Sequence, residues 1–234
     1  MSADPERRLF WENLISGLLS ESYPKHQFSL LVSHQLVGTT ISVFIRNDYL
    51  PAVNQVEIAS KKTGMGGIAG NKGSVAVRLK LHDSSICFVS SHFTAGQNNS
   101  IDRDRDFEYA LTELQLSGGR NILSNDFIFW FGDLNYRIEL DRDFARDLIR
   151  EKQFSELLRY DQLTERRSMN LVFQGFQESP INFAPTYKYD TGTNIYDTSD
   201  KMRVPSWTDR ILFRGNPVNL FSIFSHVLGQ VTFL

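Results

Sequence analysis

Hydrophobic and polar positions change period several times along this chain, and each change marks an element. Phe10, Leu14 and Leu18, with Trp11 and Ile15 beside them, recur at helical spacing. They follow Asp4-Pro5-Glu6, a capping acid with proline at the first helical position. Strict alternation takes over from Thr39 to Arg46, where Ile41, Val43 and Ile45 share one face, and returns in Val75, Val77 and Leu79. The turn His82-Asp83-Ser84-Ser85 then leads into a more continuous apolar run, Ile86 to Ser90, ending at Ser91-His92. A charged helix is expected from about Asp102 to Leu116, stopped by Gly118-Gly119, with Asp102-Arg103-Asp104-Arg105-Asp106 as its exposed start. Phe127 to Phe131 reads as a buried strand, and Asp141 to Leu158 as one or two amphipathic helices. The remainder, through Pro185, Pro205 and Pro217, reads as loop and short strand. Strands and helices interleave, yet the hairpin from Val75 to Ser90 argues against a purely parallel sheet, so the expected class is a layered α/β sandwich.

Composition narrows this picture without redirecting it. At 234 residues, 41% hydrophobic and 22% charged, the chain suits one domain with a sizeable core. Its 25 basic and 27 acidic residues give no global cationic field, which argues against a nucleic-acid partner. Cys87, the only cysteine, sits in an apolar run and is expected to be a reduced core residue of a cytoplasmic protein. No secretory signal opens the sequence. The uncharged stretch from Gly215 to Leu234 is interrupted by Asn219, Ser222, Ser225, His226, Gly229 and Gln230, so strand pieces are expected there and no transmembrane segment.

Candidate chemistry gathers at strand ends, where sites of α/β folds collect. Trp130-Phe131-Gly132-Asp133-Leu134-Asn135-Tyr136-Arg137 sets an acid and an amide two residues apart behind an apolar run. In an extended segment both would face one side, where the acid can handle water and the amide can donate to a phosphate oxygen. The same residues could instead cap backbone groups in a turn. His92 likewise ends an apolar run, with a structural and a catalytic role both open. Gly64, Gly66, Gly67, Gly70 and Gly73 surround Asn71 and Lys72; a strand follows them rather than a helix, which excludes a dinucleotide loop. Lys72 among glycines can approach a phosphate closely, though a flexible connection is the simpler reading. Tyr187, Lys188, Lys201 and Arg203 bring cations and a phenol near a second polar stretch, Arg203-Val204-Pro205-Ser206-Trp207-Thr208-Asp209-Arg210. They read either as a solvated loop or as a grip on a polyanion.

The two stretches, with Gly70-Asn71-Lys72-Gly73, Ser91-His92 and Pro185-Thr186-Tyr187-Lys188, resemble the inositol polyphosphate 5-phosphatase family, particularly its synaptojanin-like branch, from Ser2 to about Arg214. The resemblance implies an endonuclease/exonuclease/phosphatase-type α/β sandwich and Mg2+-dependent removal of the 5-phosphate from phosphatidylinositol 4,5-bisphosphate and related inositol phosphates. It implies that Asp133 positions or deprotonates water and that Asn135 and His92 stabilise the scissile phosphate. Asp209 would orient a histidine, and Tyr187, Lys188 and Lys201 would grip the neighbouring 4-phosphate. Lys72 and Arg203 would add phosphate contacts.

Two family elements have no counterpart here. The opening strands with a metal-holding glutamate would lie upstream, so no metal ligand is assigned within the chain. The closing element with the catalytic histidine is also missing. Gly175-Phe176-Gln177-Glu178 spells the expected tetrapeptide in the wrong place, and His226 lacks the flanking aspartate and proline. The expectation is therefore a partial catalytic domain over 1–214 with a divergent tail over 215–234, impaired in activity. Alternatives are a non-catalytic phosphoinositide-binding remnant, a fragment of a longer enzyme, or a nuclease of the same fold. A monomer acting peripherally at a phosphoinositide-bearing membrane is expected.

Overall fold

The computed structural model describes residues 4–36, 38–63 and 72–215. Most of the glycine-rich loop, and the tail beyond Gly215 with its His226, lie outside the described residues. Helix α1 (Pro5–Ser22) starts as its sequence dictates, with the Asp4 carboxylate accepting from Arg7 N at 3.0 Å. Strands β1 (Phe28–Leu36) and β2 (Thr39–Arg46) form an antiparallel pair. A second sheet takes β3 (Val53–Lys62), β4 (Gly73–Leu81), β5 (Ser84–His92), β6 (Phe127–Asp133), the two-residue β7 (Gln177–Glu178) and β8 (Asp209–Arg214) in the order β3-β4-β5-β6-β8-β7. Among the described strand pairs only β5 and β6 run parallel, joined across helix α2 (Ser100–Glu113).

Period-two alternation divides the faces of this sheet. Ala76, Cys87, Val89, Ile128, Trp130 and Leu212 are buried with Phe107, Ala110 and Leu114 of α2 and with Phe173 and Phe176. Val75, Val77, Phe88 and Phe131 face the other way, against Val32, Leu36, Ile41 and Val43 of the two-stranded sheet. The layered α/β sandwich read from the pattern is what forms. The Trp130 indole satisfies its N–H on Ser91 Oγ at 2.9 Å, itself 2.7 Å from Ser74 Oγ, so the polar handle costs the core nothing unpaired.

Three local readings change. Helix α1 carries the expected apolar stripe, but Phe10, Trp11, Leu14, Ile15 and Leu18 all face outward. The buried contact is Glu12, which accepts from Ser42 Oγ at 3.3 Å. The charged start of α2 is only partly exposed: Arg105 stays in solvent, but Arg103 is fully buried and Asp106 nearly so. The stretch read as loop after Leu158 holds helix α5 (Gln162–Ser168), following α3 (Arg142–Arg150) and α4 (Phe154–Leu157). Trp207, buried with Ile138, Ala145, Leu148 and Leu157, pins α3 and α4 beside the second polar stretch.

The Glu178 of the misplaced tetrapeptide has a structural task. Arg210, buried in β8, donates through Nε and one terminal nitrogen to both Glu178 oxygens at 2.7 Å, and through the other to Asp161 Oδ2 at 2.8 Å. Burial disfavours the Arg210 charge, but attraction to Asp161 and Glu178 outweighs it and the net pKa shift is upward. Removing one partner of such a cluster strands the others in a low-dielectric interior. Arg210→Met should therefore destabilise the fold by about 3–5 kcal/mol, read as a lower urea midpoint at unchanged slope. A loss below about 1 kcal/mol would show that the carboxylates find other partners or solvent.

Candidate active site

Four strands contribute one row of residues across the end of the sheet. Gly73 of β4 pairs with His92 of β5, His92 with Asp133 of β6, and Asp133 with Asp209 of β8. Lys72 directly precedes the first of these. Close approach at the row depends on two glycines with left-handed backbones. A Cβ at Gly132 (φ 126°) would lie 2.3 Å from Ser91 O, and one at Gly73 (φ 151°) 2.2 Å from Lys61 O, so neither position admits a side chain.

The side chains meet as the register requires. Lys72 Nζ lies 2.6 Å from His92 Nε2, and the same ring nitrogen lies 3.2 Å from Asp133 Oδ2. Nε2 can accept from Lys72 or donate to Asp133, but one hydrogen at a time serves one side. Lys72 is half-buried, and that desolvation lowers its pKa against the pull of Asp133 and Asp106, with Arg137 adding to the lowering. The Asp209 carboxyl reaches solvent but has protein around its other sides. That enclosure, followed by repulsion from Asp133, raises its pKa, while the Thr208 hydroxyl and His92 oppose the shift.

Asn135 is brought to the row by a turn and not by continued extension. Strand β6 ends at Asp133, Asn135 adopts φ 58°, and its N–H donates to Asp133 Oδ1 at 3.1 Å. Asn135 Nδ2 donates to Phe93 O at 3.0 Å, and Oδ1 accepts from Arg137 at 2.5 Å. The second polar stretch is laced to the first, with Leu134 N and Asn135 N both donating to Thr208 O and Ile138 N to Ser206 Oγ. Tyr187 joins through its backbone pair with Ser206, and the Arg137 guanidinium carbon lies 4.2 Å from its ring centroid.

The cations beyond Tyr187 are tied to one acid. Asp197 is fully buried and accepts from Arg203 at 2.9 Å, with Lys188 Nζ at 3.8 Å. Hydrogen bonds from Ser199 and then Arg203 hold Asp197 well below the usual carboxylate range against the cost of burial. Lys201 is exposed in the adjoining turn and makes no ion pair among the described residues. Lys72, His92, Asp133, Asn135 and Asp209 are thus assembled directly, and Tyr187, Lys188 and Arg203 join through Arg137 and Asp197.

Residues passed over in the sequence hold the loop after His92. Arg103 donates to the carbonyls of Thr94 and Gly96 at 3.1 and 2.7 Å and to Gln162 Oε1 at 2.5 Å, while Asp106 accepts from Thr94 N and Oγ1 at 2.7 Å. The signal was present: Arg103 continues the helical stripe of Phe107, Ala110 and Leu114 into the core.

The endonuclease/exonuclease/phosphatase family 2 profile matches residues 1–227. Inositol-1,4,5-trisphosphate 5-phosphatase 1 of Schizosaccharomyces pombe is 45% identical over 93% of this chain and 20% of its own length. Caenorhabditis elegans synaptojanin is 45% identical over 92% of this chain and 19% of its own. A crystal structure of the inositol polyphosphate 5-phosphatase domain of SPsynaptojanin, in complex with inositol (1,4)-bisphosphate and calcium ion, superposes with a TM-score of 0.87 at 44% identity, covering 92% of this chain and 63% of that one. The chain belongs to the endonuclease/exonuclease/phosphatase family. Within it, the homology is to the catalytic domains of synaptojanins and inositol polyphosphate 5-phosphatases. It spans about a fifth of the length of those curated relatives.

A hard divalent ion takes six or more oxygen ligands. Asp133 and Asp209 offer such oxygens, but no group of three or more His, Cys, Asp or Glu side chains converges among the described residues, so these residues alone do not complete a metal site.

The raised pKa of Asp209 sets a pH test. A carboxyl whose folded-state pKa lies above its unfolded value weakens the fold once both states are ionised and not at low pH. Asp209→Asn should raise the melting temperature at neutral pH, and the gain should fade as pH falls to the ordinary value of 3.8. Thermal melts of both proteins across that range decide it, and a gain that grows toward acid would contradict the assignment.

Proposed function

We propose that this site removes the 5-phosphate of an inositol head group, with phosphatidylinositol 4,5-bisphosphate at a membrane surface as its substrate. The observation that carries the reading is the single row of Lys72, His92, Asp133 and Asp209, laced to the Tyr187 and Lys188 loop. The relatives' names and the inositol bisphosphate in the similar domain support it. In this reading Asp133 orients the attacking water and takes its proton. His92 and the Asn135 amide stabilise charge on the scissile phosphate, Lys72 and Arg203 add contacts to it, and Asp209 orients a basic partner. Tyr187, Lys188 and Lys201 hold the neighbouring 4-phosphate. Magnesium is the ion assigned to the reaction, with ligands beyond those described. Action is peripheral, as a monomer at the cytoplasmic face of a membrane; among the described residues no helix is long and apolar enough to cross one.

A second reading, a phosphoinositide-binding module without turnover, is favoured by the incomplete metal-ligand set among the described residues. Phosphate release from vesicles carrying phosphatidylinositol 4,5-bisphosphate, in excess magnesium, separates the two. Hydrolysis that falls by about a hundredfold or more in Asp133→Ala supports the enzyme. Binding without release, equal in both proteins, supports the module.

Head-group contacts are tested on vesicles with and without a 4-phosphate. A nearby cation adds about 1 kcal/mol of attraction to any anionic surface. Lys201→Ala and Lys188→Ala should each weaken binding more when the 4-phosphate is present. The Lys201 effect should be the larger, because Lys188 already faces Asp197. Equal losses on both vesicles would reduce these lysines to nonspecific charge.

A further inference from the structure

Arg137 is buried and makes three contacts, to two neighbours, that matter to one another. Its Nε donates to the Asn135 carbonyl at 3.0 Å, a terminal nitrogen donates to Asn135 Oδ1 at 2.5 Å, and its planar face carries the Tyr187 ring at 4.2 Å. Its own N–H is fixed on Gln162 Oε1 at 2.8 Å.

A guanidinium has only donors, so the Asn135 atom facing it must be the amide oxygen. The Phe93 carbonyl on the other side is only an acceptor, so the atom facing it must be the amide nitrogen. The orientation of the Asn135 side chain is thereby dictated by chemistry from both ends. Its second Nδ2–H makes no bond to a protein acceptor among the described residues, and in the phosphatase reading it is the donor to the scissile phosphate. Lysine would keep the charge of Arg137 but could neither span Oδ1 and the carbonyl together nor offer a flat face to Tyr187.

We propose that Arg137 is a positioning residue that holds the Asn135 amide and the Tyr187 ring as one unit. The donor aimed at the scissile phosphate is then set by the same side chain that carries the head-group loop. Engagement of the 4-phosphate by that loop and stabilisation at the 5-position are coupled through it. The inference rests on the inositol 5-phosphatase reading of the site.

The test is a double-mutant cycle on Arg137→Lys and Asn135→Ala, with phosphate release from phosphatidylinositol 4,5-bisphosphate vesicles as readout and circular dichroism to normalise the folded fraction. Losing a hydrogen bond to a charged group corresponds to about a 10- to 100-fold effect, expected for Arg137→Lys in kcat/KM. The double variant should fall no more than about threefold below Asn135→Ala alone, because coupled residues do not act additively. If Arg137→Lys does not fold, Tyr187→Leu replaces it on vesicles carrying phosphatidylinositol 5-phosphate, where Tyr187 has no 4-phosphate to hold, and its loss should again be non-additive with that of Asn135→Ala. Effects that simply multiply, or normal kcat and KM in folded Arg137→Lys, would overturn the inference while leaving the phosphatase reading intact. If the wild-type chain releases no phosphate, the same cycle is read by calorimetric titration with inositol 1,4,5-trisphosphate, where non-additivity supports the coupling and additivity overturns it. A wild-type chain that neither releases phosphate nor binds this probe defeats the underlying reading and the inference with it.

Discussion

The parallel contact between β5 and β6 is the constraint from which the rest of the site follows. Parallel neighbours share one strand direction, so their carboxyl ends finish side by side, and His92 comes level with Asp133. Antiparallel neighbours on either flank then bring a strand beginning to the same row, Gly73 from β4 and Asp209 from β8. The row closes because Gly132 presses on the backbone of Ser91 where any side chain would collide. Ionisable groups that would repel or strand one another elsewhere are thus held within contact range by backbone pairing, whose hydrogen bonds do not depend on their charge state.

Behind the row lies a polar interior that is unusual for a sheet protein of ordinary composition. Arg103, Gln162, Asp161 and Arg210 are almost wholly excluded from water, and each is tied to carbonyls or to opposite charge. Such groups add little net stability compared with apolar replacements, because desolvation offsets most of their attraction. They do specify geometry: a buried guanidinium that bonds two loop carbonyls leaves the backbone after His92 few alternatives. Burial lowers the Arg103 pKa to about 10, so it stays charged at neutral pH and its demand for partners persists.

Much of this was legible in the sequence because the strongest signals were local. Alternation placed β2 and β4, a continuous apolar run placed β5, the aromatic run placed β6, and strand ends marked His92 and Asp133 as neighbours in kind. What the sequence concealed was set by distant partners. Arg103 and Asp106 sit in a run of alternating charges that reads as solvated, and only the return of residues 94–97 over α2 explains their burial. Asn135 was expected on an extended segment, but competition from Thr208 O and the Asp133 carboxylate turns the chain. Lys188 and Arg203 looked like free cations because Asp197, several residues away, gives no sign of being buried between them.

The Asp133 row also divides the chain into parts that can vary and parts that cannot. Adding or deleting one residue inside β5, β6 or β8 would turn the following side chains to the opposite face and move the acid or the imidazole out of line. The same change among the exposed turn residues 191–194 would alter only what surrounds the row. Descent with modification in such a protein is therefore confined to its loops: new head groups, new membranes and new partners can be tried by lengthening or shortening them, while the reacting centre is inherited whole.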